Sequence, residues 1–272
     1  VKIYISADIE GVAGVVSPQH GTMGNAEYER ARRLMTQEVN AAIDGAFAGG
    51  ATEVLVNDSH GDMRNLLPEE LDRRAEAILG KPKPLNMFEG LTREHAGVFC
   101  TGYHARARAP GVLAHTVNGF AFGRIRLNGL ELGEAGLYGA YAGSLGVPVL
   151  LLTGDDCLRE ETKELFPDAA FAVVKRSLGQ RAARSLAPER ARALIREKAA
   201  EAVRTAAAAR PFVLDGPYRL EVEFNTPALC DLAAVIPAAT RLDAVTVAFA
   251  PESAEHAVRW VNTLSALSSF LR

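Results

Sequence analysis

The sequence predicts an α/β protein, with a three-layer domain built on a parallel sheet and a second, smaller α/β domain. Two observations carry this. Short, continuously apolar runs such as Ile3-Tyr4-Ile5 and Val149-Leu150-Leu151-Leu152 read as strands buried on both faces, as parallel sheets require. Between such runs lie longer stretches with apolar residues every three to four positions, the pattern of helices that cover a sheet. The 272 residues are 48% hydrophobic with a mean hydropathy of +0.02. That is enough for one large domain, or for a domain and a smaller partner.

In chain order, Lys2–Ser6 is the first strand. A helix over Ala26–Ala48 presents Met35, Val39, Ala42, Ile43 and Ala46 on one face and stops at Gly49-Gly50. Glu53–Asn57 is a strand, Pro68–Leu79 a more polar helix, and Gly97–Thr101 a strand. Phe122–Leu127 and Leu130–Leu132 flank Asn128-Gly129, the strongest short hairpin signal in the chain. Small residues make Ala135–Leu145 a helix. Val149–Leu152 and Phe171–Val174 are strands on either side of a helix over Leu158–Phe166. Pro188 opens a long helix reaching Ala208. Pro211–Pro217 reads as a linker, which sets the domains at 1–209 and 210–272. The second domain holds strands Leu220–Phe224 and Ala244–Phe249 and a helix from Ser253 to Leu267, and the hairpin near 120–132 can pack with either domain.

A net charge of −3 and a pI near 6.1 argue against general nucleic-acid binding. The arginine clusters (Arg30, Arg32, Arg33; Arg73, Arg74; Arg106, Arg108) are mixed with acids and read as solvated faces. Cys100, Cys157 and Cys230 are widely spaced and contain no C-x-x-C pair, so neither a disulfide framework nor a cysteine zinc knuckle is indicated. Cys100 reads as a small core residue. No stretch approaches a transmembrane span, and the first residues form a strand instead of a basic-then-apolar signal. The expected compartment is the cytoplasm.

The chemistry collects at strand ends. The first strand runs into Asp8 and Glu10, the second into Asp58 and His60, the third into His104, and a later one into Asp155-Asp156. In open α/β sheets, ligands bind beyond the carboxyl ends of the strands. His60 and His104 each lie a few residues past a strand, beside glycine, whereas His20, His95 and His256 sit at no strand end and read as surface residues. Two imidazoles among several carboxylates form a mixed N/O set suited to Zn²⁺, with Mn²⁺ or Co²⁺ also compatible. Asp8, Glu10, His60 and His104 alone would make a closed structural site. Glu134 is the best fifth donor and would permit a bridged metal pair with open positions. Asp58 reads as a group that orients an imidazole or a substrate amine. Arg106 reads equally as a contact for a peptide carboxylate or as a surface residue. A metal-dependent phosphoesterase would use the same ligand types, but no glycine-rich phosphate loop opens a helix. A non-catalytic metal-binding α/β module would leave the donors without a purpose.

Several long segments resemble, in order, the dinuclear zinc D-aminopeptidases of the DppA type. They are Ser6-Ala7-Asp8-Ile9-Glu10-Gly11, Val54-Leu55-Val56-Asn57-Asp58-Ser59-His60 and Gly102-Tyr103-His104-Ala105-Arg106-Ala107. Pro110-Gly111-Val112-Leu113-Ala114-His115, Gly133-Glu134, Val147-Pro148-Val149-Leu150 and Gly154-Asp155-Asp156 follow. The resemblance implies that Asp8 bridges two zinc ions, that Glu10 and His104 bind one, and that His60 and Glu134 bind the other. It also implies that His115 is the catalytic residue, called a nucleophile in that family. The implied activity is removal of the N-terminal residue, a D-amino acid, from short peptides. The implied assembly is a homodecamer of stacked five-membered rings with its active sites facing an inner channel. One departure matters: the stretch between His115 and the ligand glutamate is one residue longer here, and Glu131 lies close by. Glu134 is retained as the ligand because Gly133-Glu134 matches the motif.

Overall fold

A computed structural model describes residues 1–272. Its strands are β1 (Lys2–Ala7), β2 (Glu53–Asp58), β3 (Ala75–Ile78), β4 (His95–Thr101), β5 (Phe122–Leu127), β6 (Leu130–Glu131), β7 (Val149–Asp155), β8 (Ala170–Gly179), β9 (Ala182–Ser185), β10 (Leu220–Phe224), β11 (Thr240–Arg241) and β12 (Thr246–Phe249). Its helices are α1 (Ala26–Gly49), α2 (Glu134–Ser144), α3 (Asp156–Thr162), α4 (Pro188–Thr205), α5 (Pro227–Ala233) and α6 (Ala254–Ser268). Seven strands form one sheet in the order β3-β2-β1-β4-β7-β8-β9, and five form another in the order β11-β12-β10-β5-β6. The first sheet is parallel except for its edge, where β9 turns back on β8. The second is antiparallel throughout. This is the mixed α/β architecture that the apolar strands predict. No helix is long and apolar enough to cross a membrane.

Side-chain alternation along β1 divides the interior. Ile3, Ile5 and Ala7 join Val54, Val56, Leu151 and Val174 in one cluster, closed by the stripes Met35-Val39-Ile43 of α1 and Ile195-Ala199 of α4. Tyr4 joins Val98, Cys100 and Leu152 in the other, with α2, α6 and the inner face of the second sheet, including Ile125, Val222 and Val247. Helix α2 is buried from Glu134 to Gly143 on every side, so an acid at its first position is carried into the interior.

Pro68–Leu79 is not a helix. A short 3-10 turn over Pro68–Glu70 leads instead to the parallel edge strand β3. Asp72 accounts for the difference: its side chain accepts from the Arg74 amide at 3.0 Å and its carbonyl from the Ala75 amide at 3.0 Å. That local turn competes with helix formation. The strand Phe171–Val174 is longer than expected, and both β9 and α5 went unread. The hairpin Phe122–Glu131 pairs with β10, in the second sheet.

The strand order positions the site. From β1 the chain goes to β2 and β3 on one side and then returns to β4 on the other, so the order reverses between β1 and β4. The crevice beyond their carboxyl ends is the expected ligand position in such a sheet.

Candidate metal centre

Two glycines let these strand ends meet. The Asp8 amide donates to Thr101 O at 2.8 Å, and the Gly11 amide to Gly102 O at 2.7 Å. A Cβ on Gly11 would stand 1.9 Å from Tyr103 O, and one on Gly102 (φ +68°) would stand 2.1 Å from Asp8 O. The backbones therefore touch only because both positions lack a side chain. That approach brings Asp8 and Glu10, from the first strand end, beside His104, from the fourth.

Asp8 lies at the centre. Its Oδ1 is 3.2 Å from His60 Nδ1, and its Oδ2 is 3.3 Å from His104 Nε2. Glu10 Oε2 is 3.0 Å from His60 Nδ1, and Glu134 Oε2 is 3.2 Å from His104 Nε2. The nearest contacts thus pair Glu10 with His60 and Glu134 with His104. Asp8, Glu10 and His104 nevertheless also bring one ligand atom each within 4.8 Å of one another. The five residues thus form one continuous cluster around Asp8.

The far nitrogen of each imidazole is already committed. His60 Nε2 donates to Gly21 O at 2.8 Å and His104 Nδ1 to Ala105 O at 2.9 Å, which leaves His60 Nδ1 and His104 Nε2 facing the acids as the atoms that would take up either a proton or a metal ion. Glu10 Oε2, His104 Nε2 and Glu134 Oε2 are buried without any hydrogen-bond partner. Glu10 Oε2 has its close approach to His60 Nδ1, at 3.0 Å, and Glu134 Oε2 to His104 Nε2, at 3.2 Å. Ligands about 2.1 Å from a tetrahedral zinc stand about 3.4 Å apart, close to the separations found here. The donor set therefore fits a metal ion. Burial opposes charge at His60 and His104, yet the Glu10 and Asp8 carboxylates beside His60, and those of Glu134 and Asp8 beside His104, hold both imidazoles well above the usual histidine range. Burial likewise pushes the Asp8 carboxyl up, but the two imidazoles outweigh it and keep Asp8 well below the ordinary value. Three carboxylates thus draw positive charge to two imidazoles, supplied by protons on the rings or by a metal ion in their place.

His115 stands at the edge of the cluster. Its ring stacks on His104 with centroids 4.2 Å apart, its Nδ1 donates to Leu113 O at 3.0 Å, and its Nε2 is 3.7 Å from Glu134 Oε1. The neighbouring backbone is strained, with Leu113 at φ 53° and Val117 at φ 59°; for a β-branched residue this is an outlier. The strain has a local use. Leu113 turns its carbonyl to His115, and Val117 turns its amide to Glu134 Oε1 at 2.6 Å. Asp8, His60, His115 and Glu134 line one cavity of about 1030 Å³, together with Asn118 and, from α6 and the residues after it, Asn262, Ser265 and Arg272. Its volume is at the upper end for pockets that enclose small organic ligands.

A family model described as D-aminopeptidase (peptidase family M55) matches residues 1–263. The chain belongs to the D-aminopeptidase family. The D-aminopeptidase of Bacillus subtilis (strain 168) is 42% identical over 184 residues, covering 68% of this chain and 67% of that protein. Among solved structures, the Zn-dependent D-aminopeptidase DppA from Bacillus subtilis, described as a self-compartmentalizing protease, matches with a TM-score of 0.96 at 35% identity, over 99% of this chain and 98% of that one. As a member of this family the chain is a metal-dependent aminopeptidase, and neither a phosphoesterase nor a non-catalytic binding module is favoured.

Within this D-aminopeptidase fold, Asp58 is turned away from the part the sequence suggests, while Arg106 and Glu131 lie apart from the cluster. Asp58 touches neither an imidazole ring nor the cavity. It accepts from the Asn65 and Leu66 amides at 2.6 and 2.8 Å and from Asn65 Nδ2 at 2.7 Å, and Asn65 in turn donates to His60 O at 2.7 Å. It folds the loop that carries His60. Arg106 faces a separate depression with Arg108 and Cys157 and lies 3.5 Å from Glu131, so it meets no peptide in the cavity. Glu131 is surrounded by Arg106, Arg124 and Arg126 at 3.4–3.6 Å, which places it outside the cluster that Glu134 enters. Glu131→Ala should therefore leave metal content and kcat within about twofold, because partly exposed ion pairs contribute only about 0–1 kcal/mol. Glu134→Ala should weaken one metal position selectively. Metal titration of the two variants side by side checks both expectations.

Lys83 escaped the sequence reading. It is buried, and its Nζ donates to Asn57 Oδ1 and Asp58 O, both at 2.7 Å, which fixes the other end of the His60 loop. Burial lowers its ammonium to about 8. A lysine flanked by prolines in a polar stretch carries no periodic signal that would have marked it.

Proposed function

We propose that this family member holds two zinc ions on Asp8, Glu10, His60, His104 and Glu134 and uses them to remove N-terminal D-amino acids from short peptides. The observation that supports this most is the position of Asp8, with one carboxylate oxygen toward each imidazole, among buried ligand atoms lacking partners. With Asp8 shared, five side chains offer three ligands to each of two ions and leave positions open for water and substrate. When bound, such a pair polarises the scissile carbonyl and lowers the pKa of water to about 7.

The chain's own residues supply the rest. His115 Nδ1 is tied to Leu113 O, so Nε2 is the atom that accepts a proton and returns it to the leaving amine. The Glu134 carboxylate, 3.7 Å away, stabilises the imidazolium that forms. His115 thus acts as the proton carrier and catalytic residue in this reading. Val117 keeps Glu134 aimed inward through its amide. Residues 1–209 carry the metal cluster, and 210–272, together with the 122–131 hairpin, supply the second domain.

Purified protein should be assayed against D-alanyl and L-alanyl di- and tripeptides and a generic phosphate ester. Faster cleavage of the D-peptides supports the proposal; a preference for L-peptides or for the phosphate ester contradicts it. The assembly proposed is a homodecamer, supported by the self-compartmentalizing description of the DppA structure and by the exposed apolar residues Leu178, Val235 and Phe270. Light scattering should then give a mass near ten times 29.1 kDa, with activity falling steeply from dipeptides to folded proteins. A monodisperse monomer would contradict the assembly and leave the metal site untouched.

A further inference from the structure

We infer that Lys175 is a positioning residue for the metal cluster: its ammonium group acts as a tethered cation beneath the Glu10 turn and fixes the backbone from which the Glu10 carboxylate projects. Lys175 comes from the middle of β8, where the other buried residues, Ala172 and Val174, are apolar, and is 1% exposed. A lysine is seldom buried this fully unless it is satisfied. Here Nζ donates to three carbonyls of one turn: Glu10 O, Val12 O at 3.0 Å and Val15 O at 2.6 Å. An ammonium group has three donors, and all three serve this turn. The same segment is held by its amides, with Ala13 N donating to Glu38 Oε1 and Gly14 N to Ser185 Oγ, both at 2.9 Å. Glu10 Oε2, by contrast, is buried with no hydrogen-bond partner and has its one ion-pair approach to His60 Nδ1, at 3.0 Å, so the backbone of the turn is what carries it toward the cluster. Lys175 does not line the cavity that holds His115 and acts only through Glu10.

The inference rests on the proposed role of Glu10 as a metal ligand, and its test separates the two. Zinc affinity would be measured by competition with a chromophoric chelator for wild type, Lys175→Met, Glu10→Gln and the double variant, with the denaturant midpoint of each metal-free protein as the fold control. Lys175→Met should weaken one of the two ions about 10- to 100-fold, and the double variant should bind no more weakly than Glu10→Gln alone. Lys175→Gln keeps two of the N–H donors. It should recover part of the affinity, and it replaces the methionine variant in the cycle if that variant does not fold. Wild-type affinity in Lys175→Met beside lost affinity in Glu10→Gln overturns the inference alone, as does a double variant whose losses simply add. Unchanged affinity in Glu10→Gln removes the ligand role of Glu10 and the inference with it.

Discussion

Asp8→Ala should strip both metal ions together and lower kcat/KM by at least about 10³-fold, since bound metal contributes several kcal/mol and each 1.4 kcal/mol is about tenfold. Asp8 is the one carboxylate in contact with both His60 and His104, at 3.2 and 3.3 Å. Loss of any other donor leaves one three-residue set intact, but loss of Asp8 opens both. The fold should survive, because Asp8 lies just past β1 and the apolar side chains of both core clusters are untouched. The Ile9 amide loses its 2.9 Å bond to Asp8 Oδ1, a cost of about 1 kcal/mol. Elemental analysis and steady-state kinetics on one preparation check this. A variant that keeps one ion per chain would show that Asp8 is not shared.

His115→Ala should keep the metal and lower kcat by about 10²- to 10⁴-fold with little change in KM, the effect of removing a group that moves a proton in the transition state. The geometry makes this a strict test. His104, His115 and Glu134 bring one ligand atom each within 4.8 Å of one another, so His115 is close enough to serve as a ligand itself. Against that role, its Nε2 is 3.7 Å from the nearest carboxylate oxygen, whereas the four contacts around Asp8 are 3.0–3.3 Å. Loss of metal from His115→Ala would move it into the ligand set.

The strand ends were the legible part of the molecule. Continuous apolar runs marked the parallel sheet, and glycines beside Asp8, Glu10 and His104 marked where its strands release the chain. Both signals are local: apolar residues run without a break along a strand buried on both faces, and glycine appears where backbones touch. Asp58 was selected correctly as a residue beside the site, but its side chain turns the other way, into loop amides. Sequence gives a residue's place along the chain and not the direction of a side chain past a strand end. For Arg106, two residues after His104, the sequence left a peptide contact and a surface role open for the same reason, and the side chain lies in a separate depression. Lys175 was invisible because its partners lie more than 150 positions earlier and are backbone carbonyls, which every residue has. The strained Val117 was equally hidden, since nothing in a valine announces a positive φ.

The most direct measurement is metal stoichiometry on the purified, fully active protein, before and after dialysis against a chelator. Two transition-metal ions per chain, lost with activity while the circular dichroism of the fold persists and regained together on adding zinc, is the predicted result. A single ion that survives the chelator, or full activity in metal-free protein, would contradict a catalytic metal pair on Asp8, Glu10, His60, His104 and Glu134.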